Sequence, residues 1–404
     1  MRFHRNISFA VIDALLAIFN EKEYADKVVA RALKLDKRWG SNDRKFVAET
    51  IYDIVRWKRL YAEIAEAKEP FTRDYVWRLF AIWAVLRGHT LPDWKYFEQT
   101  PVRRIKGKFD ELSKNRSIRE SIPDWMDEIC SKELGDDIWE KEIKAQNEQA
   151  RVILRVNTLK TTPQKLQELL NTLDIETETL KEYPDALILK ERANVFMTDA
   201  FKNGLFEVQD ASSQLVARFL DIQPGMRVVD ACAGAGGKTL HIASLLENKG
   251  QIIAMDLYES KLKQLKLRAK RNGVHNIDCR AIESTKTIKK LHEKADRVLI
   301  DAPCSGLGVL KRNPDSKWKL QPEFIENIKK TQQEVLENYS KIVKPGGKLV
   351  YATCSILPSE NQEQVEKFLT TEMGKNFIFV EDKKILAHES GFDGFYMALL
   401  ERKK

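Results

Sequence analysis

The chain has 404 residues, 43% of them hydrophobic, and its 68 Lys and Arg against 60 Asp and Glu leave a net charge of +8. This length accommodates two or three domains with cores of their own, and the absence of any run of about 18 apolar residues argues against a membrane-spanning helix. Five cysteines without a Cys-x-x-Cys pair argue against a disulfide framework and against a zinc site, so reduced thiols and no metal are expected.

The first residues, MRFHRNISFAVIDALLAIFN, set basic groups ahead of an apolar stretch that Asp13 interrupts, with no small-residue cleavage site after it. They read as a helix and not as a signal, and a cytoplasmic location is expected. From residue 1 to 118 apolar positions recur at helical spacing, as in ADKVVARAL, KFVAETIYDIVRWKRL and VWRLFAIWAVLRG. Over residues 1–119 Lys and Arg outnumber Asp and Glu 25 to 16, so the basic excess lies in this part. Such an excess suits a polyanionic partner. The stretch PVRRIKGKFDELSKNRSIR reads as a linker or loop, either solvated or in contact with RNA.

After the helical passage SIPDWMDEICSKELGDDIWEKEIKAQN the pattern changes near residue 150. RVILRVNTLK predicts a strand, TTPQKLQELLNTL a capped helix with Pro163 in its first turn, and DALILK another strand. From about residue 205 strands alternate with helices, most clearly at MRVVDACAG, QIIAMD, ADRVLIDAPC and GGKLVYATCS, which predicts an α/β, parallel, doubly wound Rossmann-like sheet. The expected domains are 1–118, all helical; 119–205, a small α/β module; and 206–404, the doubly wound domain. Ligands of such sheets bind outside the carboxyl ends of the strands.

VVDACAGAGGKT, residues 228–239, is a strand, a glycine loop and a helix start, with neither the P-loop spacing nor three glycines in the dinucleotide pattern. Asp256 ends the next strand, where a carboxylate accepts hydrogen bonds from both ribose hydroxyls, so an adenosine-containing ligand is expected. LYESKLKQLKLRAKRNG holds six Lys or Arg between 261 and 271 on a predicted surface helix, solvated or tracking an RNA backbone. Cys130, Cys232 and Cys279 read as small buried hydrophobes. Cys304 in DAPCSGLGVLKRNPDSKWK and Cys354 in YATCSILPSENQ instead each follow an apolar strand at the ligand-binding end, flanked by turn-forming residues. Lys311, Arg312, Lys317 and Trp318 combine charge with a stacking surface suited to an unpaired base, with Trp318 as a core residue the rival reading.

Two thiols at the ligand-binding end suit a reaction that needs a thiolate near a methyl donor. Carbon 5 of a cytosine is a poor nucleophile until a thiolate adds at carbon 6, and a second thiol can assist release. DACAGAGGKT, DAPCSGLGVLKRNPDSKWK and YATCSILPSENQEQVEKF together resemble the Sun (RsmB-like) family of RNA cytosine-5 methyltransferases, as do QDASSQLVA, the RVNTLK strand and GFDGFYMALLERK. The helical first region more weakly resembles NusB, and the resemblance covers most of the chain. It implies an RNP-like small module, a Rossmann-like methyltransferase domain, S-adenosylmethionine as cofactor and RNA as partner, 16S ribosomal RNA ahead of transfer RNA. By the same resemblance Cys354 attacks and Cys304 promotes release, the reverse of the order implied for DNA enzymes, so neither DNA nor a membrane is an expected partner. A monomer is expected. The loop Cys232, Ala233, Gly234, Ala235, Gly236, Gly237 and Lys238 would hold the cofactor, with Asp256 on its ribose and Lys261, Glu283 and Asp301 nearby, while Lys238 and Asp301 would also face the target base. Ala235 stands where the family has proline, Lys261 where arginine is common, and Glu283 where aspartate is usual. Arg155 and Asn157 resemble the family's RNA-handling strand or are a buried strand end. A transfer RNA cytosine-5 methyltransferase and a non-catalytic ribosome-assembly protein are the alternatives.

Overall fold

A computed structural model describes residues 3–98 and 100–404 and divides into two compact units, residues 1–148 with 310–322, and residues 149–309 with 323–404. The boundary expected at 118 therefore falls inside the first unit, whose helices continue through Asp124–Leu134 and Asp136–Gln146. Among the described residues no helix is long and apolar enough to cross a membrane.

The first unit is helical. The helices Arg5–Phe19, Ala25–Ala32, Ser41–Arg56, Lys58–Ala65 and Arg73–Leu86 turn their apolar stripes onto one core that includes Val11, Leu15, Val47, Ile51, Trp77 and Phe80. Residues 101–119, expected as a linker or loop, form the helices Val102–Leu112 and Arg116–Arg119 instead. Val102, Ile105, Phe109 and Leu112 recur at helical spacing among the charges, and Ile105, Phe109 and Leu112 join the core. Four of the seven basic residues there are paired: Arg104 and Lys108 with Glu66, Arg116 with Asp127 and Asp136, and Arg119 with Glu120 and Glu140.

The inserted segment 310–322 is a structural part of this unit, contrary to the exposed base-binding loop that its composition suggests. Lys317 has no exposed surface, and its Nζ lies 2.6 Å from Asn147 Oδ1 and 3.2 Å from Ser121 O. The Trp318 indole donates to Val55 O at 2.8 Å and packs on the helical core, and the Asp315 carboxylate accepts from Ala25 N at 3.1 Å.

The second unit contains two sheets. The smaller joins β1 (Ile153–Val156), β2 (Thr177–Leu180), β3 (Tyr183–Leu189) and β4 (Phe206–Val208), all antiparallel in the order β2-β3-β1-β4, with the predicted helix Pro163–Asn171 capped by Thr162. The larger holds β5 (Arg227–Asp230), β6 (Gln251–Asp256), β7 (Ile277–Ala281), β8 (Ala295–Asp301), β9 (Val343–Thr353), β10 (Phe377–Ile385) and β11 (Phe395–Arg402) in the order β10-β11-β9-β8-β5-β6-β7. Strands β5 to β9 pair in parallel, as expected, but β11 runs antiparallel to both β9 and β10. Alternate residues feed separate cores on the two faces: Val228, Ile252, Leu299 and Val350 on one, Val229, Ile253, Ile300 and Tyr351 on the other. Covered on both faces, the sheet offers its carboxyl-end crevice to a ligand, at the point where β6 and β8 flank β5 on opposite sides.

Candidate functional site

The carboxyl ends of β5, β6, β8 and β9 bring the singled-out residues to one edge of the larger sheet. β5 ends in Asp230 and passes through Cys232 to Gly236 into the helix Gly237–Leu245. Gly234 and Gly236 have φ of 54° and 89°, a left-handed region that favours glycine, and a Cβ on Gly236 would stand 2.5 Å from Leu265 Cγ. The loop is pinned from outside by Ala233 N to Met255 O at 2.8 Å and by Arg268 Nη1 to Ala235 O at 2.8 Å. Its Gly234 N–H donates to Asp256 Oδ2 at 2.8 Å, and Tyr258 N donates to Oδ1 at 2.8 Å. Asp256 is thereby held rigidly beside the loop, each oxygen keeping acceptor capacity for a hydroxyl.

Below the loop lies Asp230, which the sequence reading passed over. It is 1% exposed, Thr239 Oγ1 donates to its Oδ2 at 2.7 Å, and its Oδ1 is buried without a partner. Burial, with the charge of Asp301 adding to it, pushes this carboxyl up to about 7. Burial likewise raises the Cys232 thiol, reinforced by Asp230, Asp301 and Asp256. An open glycine loop at a helix start, a carboxylate with spare acceptors and an orphaned buried oxygen fit a cationic, ribose-bearing cofactor.

Asp301, the last residue of β8, accepts from Lys238 Nζ at 2.7 Å, their side chains 29% and 12% exposed. Burial opposes the Lys238 ammonium, but the charge and hydrogen bond of Asp301, with Cys354 and Asp230 behind it, outweigh burial and raise its pKa above the ordinary lysine value. The Lys238 Nζ also lies 5.1 Å from the Phe395 ring centroid.

The two thiols meet. Cys304 Sγ and Cys354 Sγ are 3.2 Å apart and both residues are half-buried. Their loops touch through glycine backbone: Gly308 N donates to Cys354 O at 2.9 Å, and a Cβ on Gly308 would stand 2.3 Å from Gly394 O. The hydrogen bond that the Cys304 thiol donates to Cys354, then burial, then the charges of Cys354 and Glu360 push the Cys304 thiol well above its ordinary pKa. Cys304 therefore holds its proton, and Cys354 lies within electrostatic range of Lys238.

Not every expected residue joins the cluster closely. Lys261 is exposed on the helix Glu259–Asn272, its Nζ 4.8 Å from the Tyr258 ring centroid. Glu283 is exposed in the loop after β7, next to Ile282, whose N–H donates to Asp256 O at 3.0 Å. On the helix bearing Lys261, Arg268 and Arg271 pair with the buried Glu207, so part of that basic face is structural. Arg155 and Asn157 are buried. Arg155 donates to Gln209 Oε1 and Gly237 O, and Asn157 donates to Gly204 O at 2.8 Å and Asn272 O at 2.9 Å, so Arg155 holds the helix start after the glycine loop and Asn157 ties the turn before β4 to the end of the helix Glu259–Asn272.

Comparison with known proteins places this geometry. Residues 217–401 match the family model described as 16S rRNA methyltransferase RsmB/F, and residues 122–196 match the ferredoxin-like domain of RsmF/B-like methyltransferases. A probable ribosomal RNA small subunit methyltransferase B of Synechocystis sp. is 31% identical over 98% of this chain and 99% of its own. One from Bacillus subtilis is 32% identical over 76% of this chain and 69% of its own. The crystal structure of PH0851 superposes with a TM-score of 0.84 at 27% identity, covering 100% of both chains.

Proposed function

Because the chain belongs to the ribosomal RNA small subunit methyltransferase B family, whose members depend on S-adenosylmethionine, we propose that it methylates carbon 5 of a cytosine in small-subunit ribosomal RNA through a covalent adduct on Cys354. The observation that carries this reading is the pair of thiols 3.2 Å apart beside Lys238 and Asp301. When bound at the Cys232–Lys238 loop and Asp256, S-adenosylmethionine supplies an electrophilic methyl group.

The chain's own residues then divide the work. The Cys354 sulfur, as the thiolate, adds to carbon 6 of the cytosine and makes carbon 5 nucleophilic. The Asp301 side chain, fixed by Lys238, is available to accept from the amino group on the pyrimidine edge and orient the ring, while the Lys238 ammonium stabilises the negative charge that addition creates. After transfer the carbon 5 proton must leave as the bond from carbon 6 to Cys354 breaks. Cys304 hands its proton to the departing Cys354 sulfur and recovers one from carbon 5, so the net movement is one proton from carbon 5 to Cys354. The basic helices within residues 1–119 supply phosphate contacts to the RNA.

Bisulfite sequencing of small-subunit RNA after incubation with the protein and S-adenosylmethionine tests this reading. A newly protected cytosine supports it. Protection confined to transfer RNA would move the substrate, and labelling at a position other than carbon 5 would overturn the chemistry.

A further inference from the structure

The mechanism leaves the fully buried carboxylate of Glu360 unused. Glu360 is 0% exposed and ends the short turn Pro358–Glu360 after β9. Its Oε2 accepts from Ser305 N at 2.8 Å and from Gln332 Nε2 at 3.0 Å, and its Oε1 accepts from Ser355 Oγ at 2.6 Å and from Ser305 Oγ. Four donors on two oxygens match the acceptor capacity of a carboxylate, as burying such a group requires. Ser305 follows Cys304 directly and Ser355 follows Cys354 directly, so the donors come from both thiol loops. Gln332 also donates to Pro303 O at 2.9 Å, tying the residue before Cys304 to the same centre. The Glu360 backbone is fixed in turn by Tyr351 Oη, which donates to its carbonyl at 2.8 Å.

We propose that Glu360 is a positioning residue: its carboxylate clamps the Cys304 and Cys354 loops together, and this clamp, not the strand ends alone, sets the sulfur-to-sulfur approach on which product release depends. The inference rests on the proposed roles of the two thiols. A neutral side chain could close the turn, but it could not accept from both serine loops and from Gln332 at once. The charge of Glu360 is also among the causes that keep Cys304 protonated.

The test uses the whole protein and dibromobimane, which becomes fluorescent when it bridges two neighbouring thiols. Cys304→Ser and Cys354→Ser define the background from the other three cysteines. Bridging in Glu360→Gln is expected to slow about tenfold, and kcat for RNA methylation to fall about 100-fold, the scale expected for a displacement near 1 Å, while RNA KM and S-adenosylmethionine affinity hold. Glu360→Asp, which keeps the carboxylate, should recover part of both. Wild-type bridging and kcat in Glu360→Gln would overturn the clamp. Should Glu360→Gln fail to fold, Ser305→Ala and Ser355→Ala decide: slower bridging in each supports the clamp, and unchanged bridging in both overturns it. The two readings fail separately. Full methylation by Cys304→Ser and Cys354→Ser rejects the thiol chemistry, whereas unaltered bridging in Glu360→Gln rejects the clamp with that chemistry intact.

Discussion

At Asp230 burial sets a pH dependence whose sign can be worked out. The ordinary value of this carboxyl is 3.8 and the folded value is raised to about 7, so between these the folded chain holds a proton that the unfolded chain has released. Stability from this group is therefore present at low pH and declines as pH rises towards 7, by about 1.4 kcal/mol for each unit in the window. Asp230→Asn keeps an acceptor for Thr239 and cannot titrate, so its urea midpoint should fall less than that of the wild type between about pH 5 and pH 8. An identical fall in both proteins would show that Asp230 is ionised throughout. Cys304, Cys354 and Asp256 stood out in the sequence because each ends or follows an apolar strand, whereas Asp301 came only with the family resemblance; all four lie at one edge of the larger sheet. Asp230 and Glu360 did not stand out, although both fall in quoted motifs. Their significance lies in burial and in donors from distant segments, which no local pattern encodes.

Among the elements, strand runs and glycine loops read well because a sheet covered on both faces demands continuous apolar strands. Residues 101–119 misled because a sparse stripe, Val102, Ile105, Phe109 and Leu112, was masked by charges that the fold pairs with neighbouring helices. KRNPDSKWK misled for the opposite reason: basic and aromatic residues look like a nucleic-acid surface until packing buries them. Trp318→Ala removes the bond to Val55 O and contacts with the helical core. For a half-buried tryptophan this should cost about 2 kcal/mol, below the range for full burial, read as a lower urea midpoint with S-adenosylmethionine affinity unchanged. Unaltered stability with weakened RNA binding would instead make Trp318 a base-stacking residue.

For the molecule as a whole, composition located the basic excess, and alternation predicted the parallel sheet. The reversed β11 and the insertion of 310–322 into the helical unit are long-range pairings that sequence order conceals. The insertion also means that cutting the chain at residue 118 would strip Trp318 and Asp315 of their partners at Val55 and Ala25, so point variants in the intact chain are the better probe. The account as a whole turns on two sulfurs 3.2 Å apart acting at different moments. Incubating Cys304→Ala, Cys354→Ala and the double variant with ribosomal RNA and S-adenosylmethionine, then resolving them on a denaturing gel, separates those moments. Cys304→Ala should remain bonded to methylated RNA as a slower band, while Cys354→Ala and the double variant should form no adduct and transfer no methyl group. An adduct from Cys354→Ala and none from Cys304→Ala would reverse the roles and contradict the account.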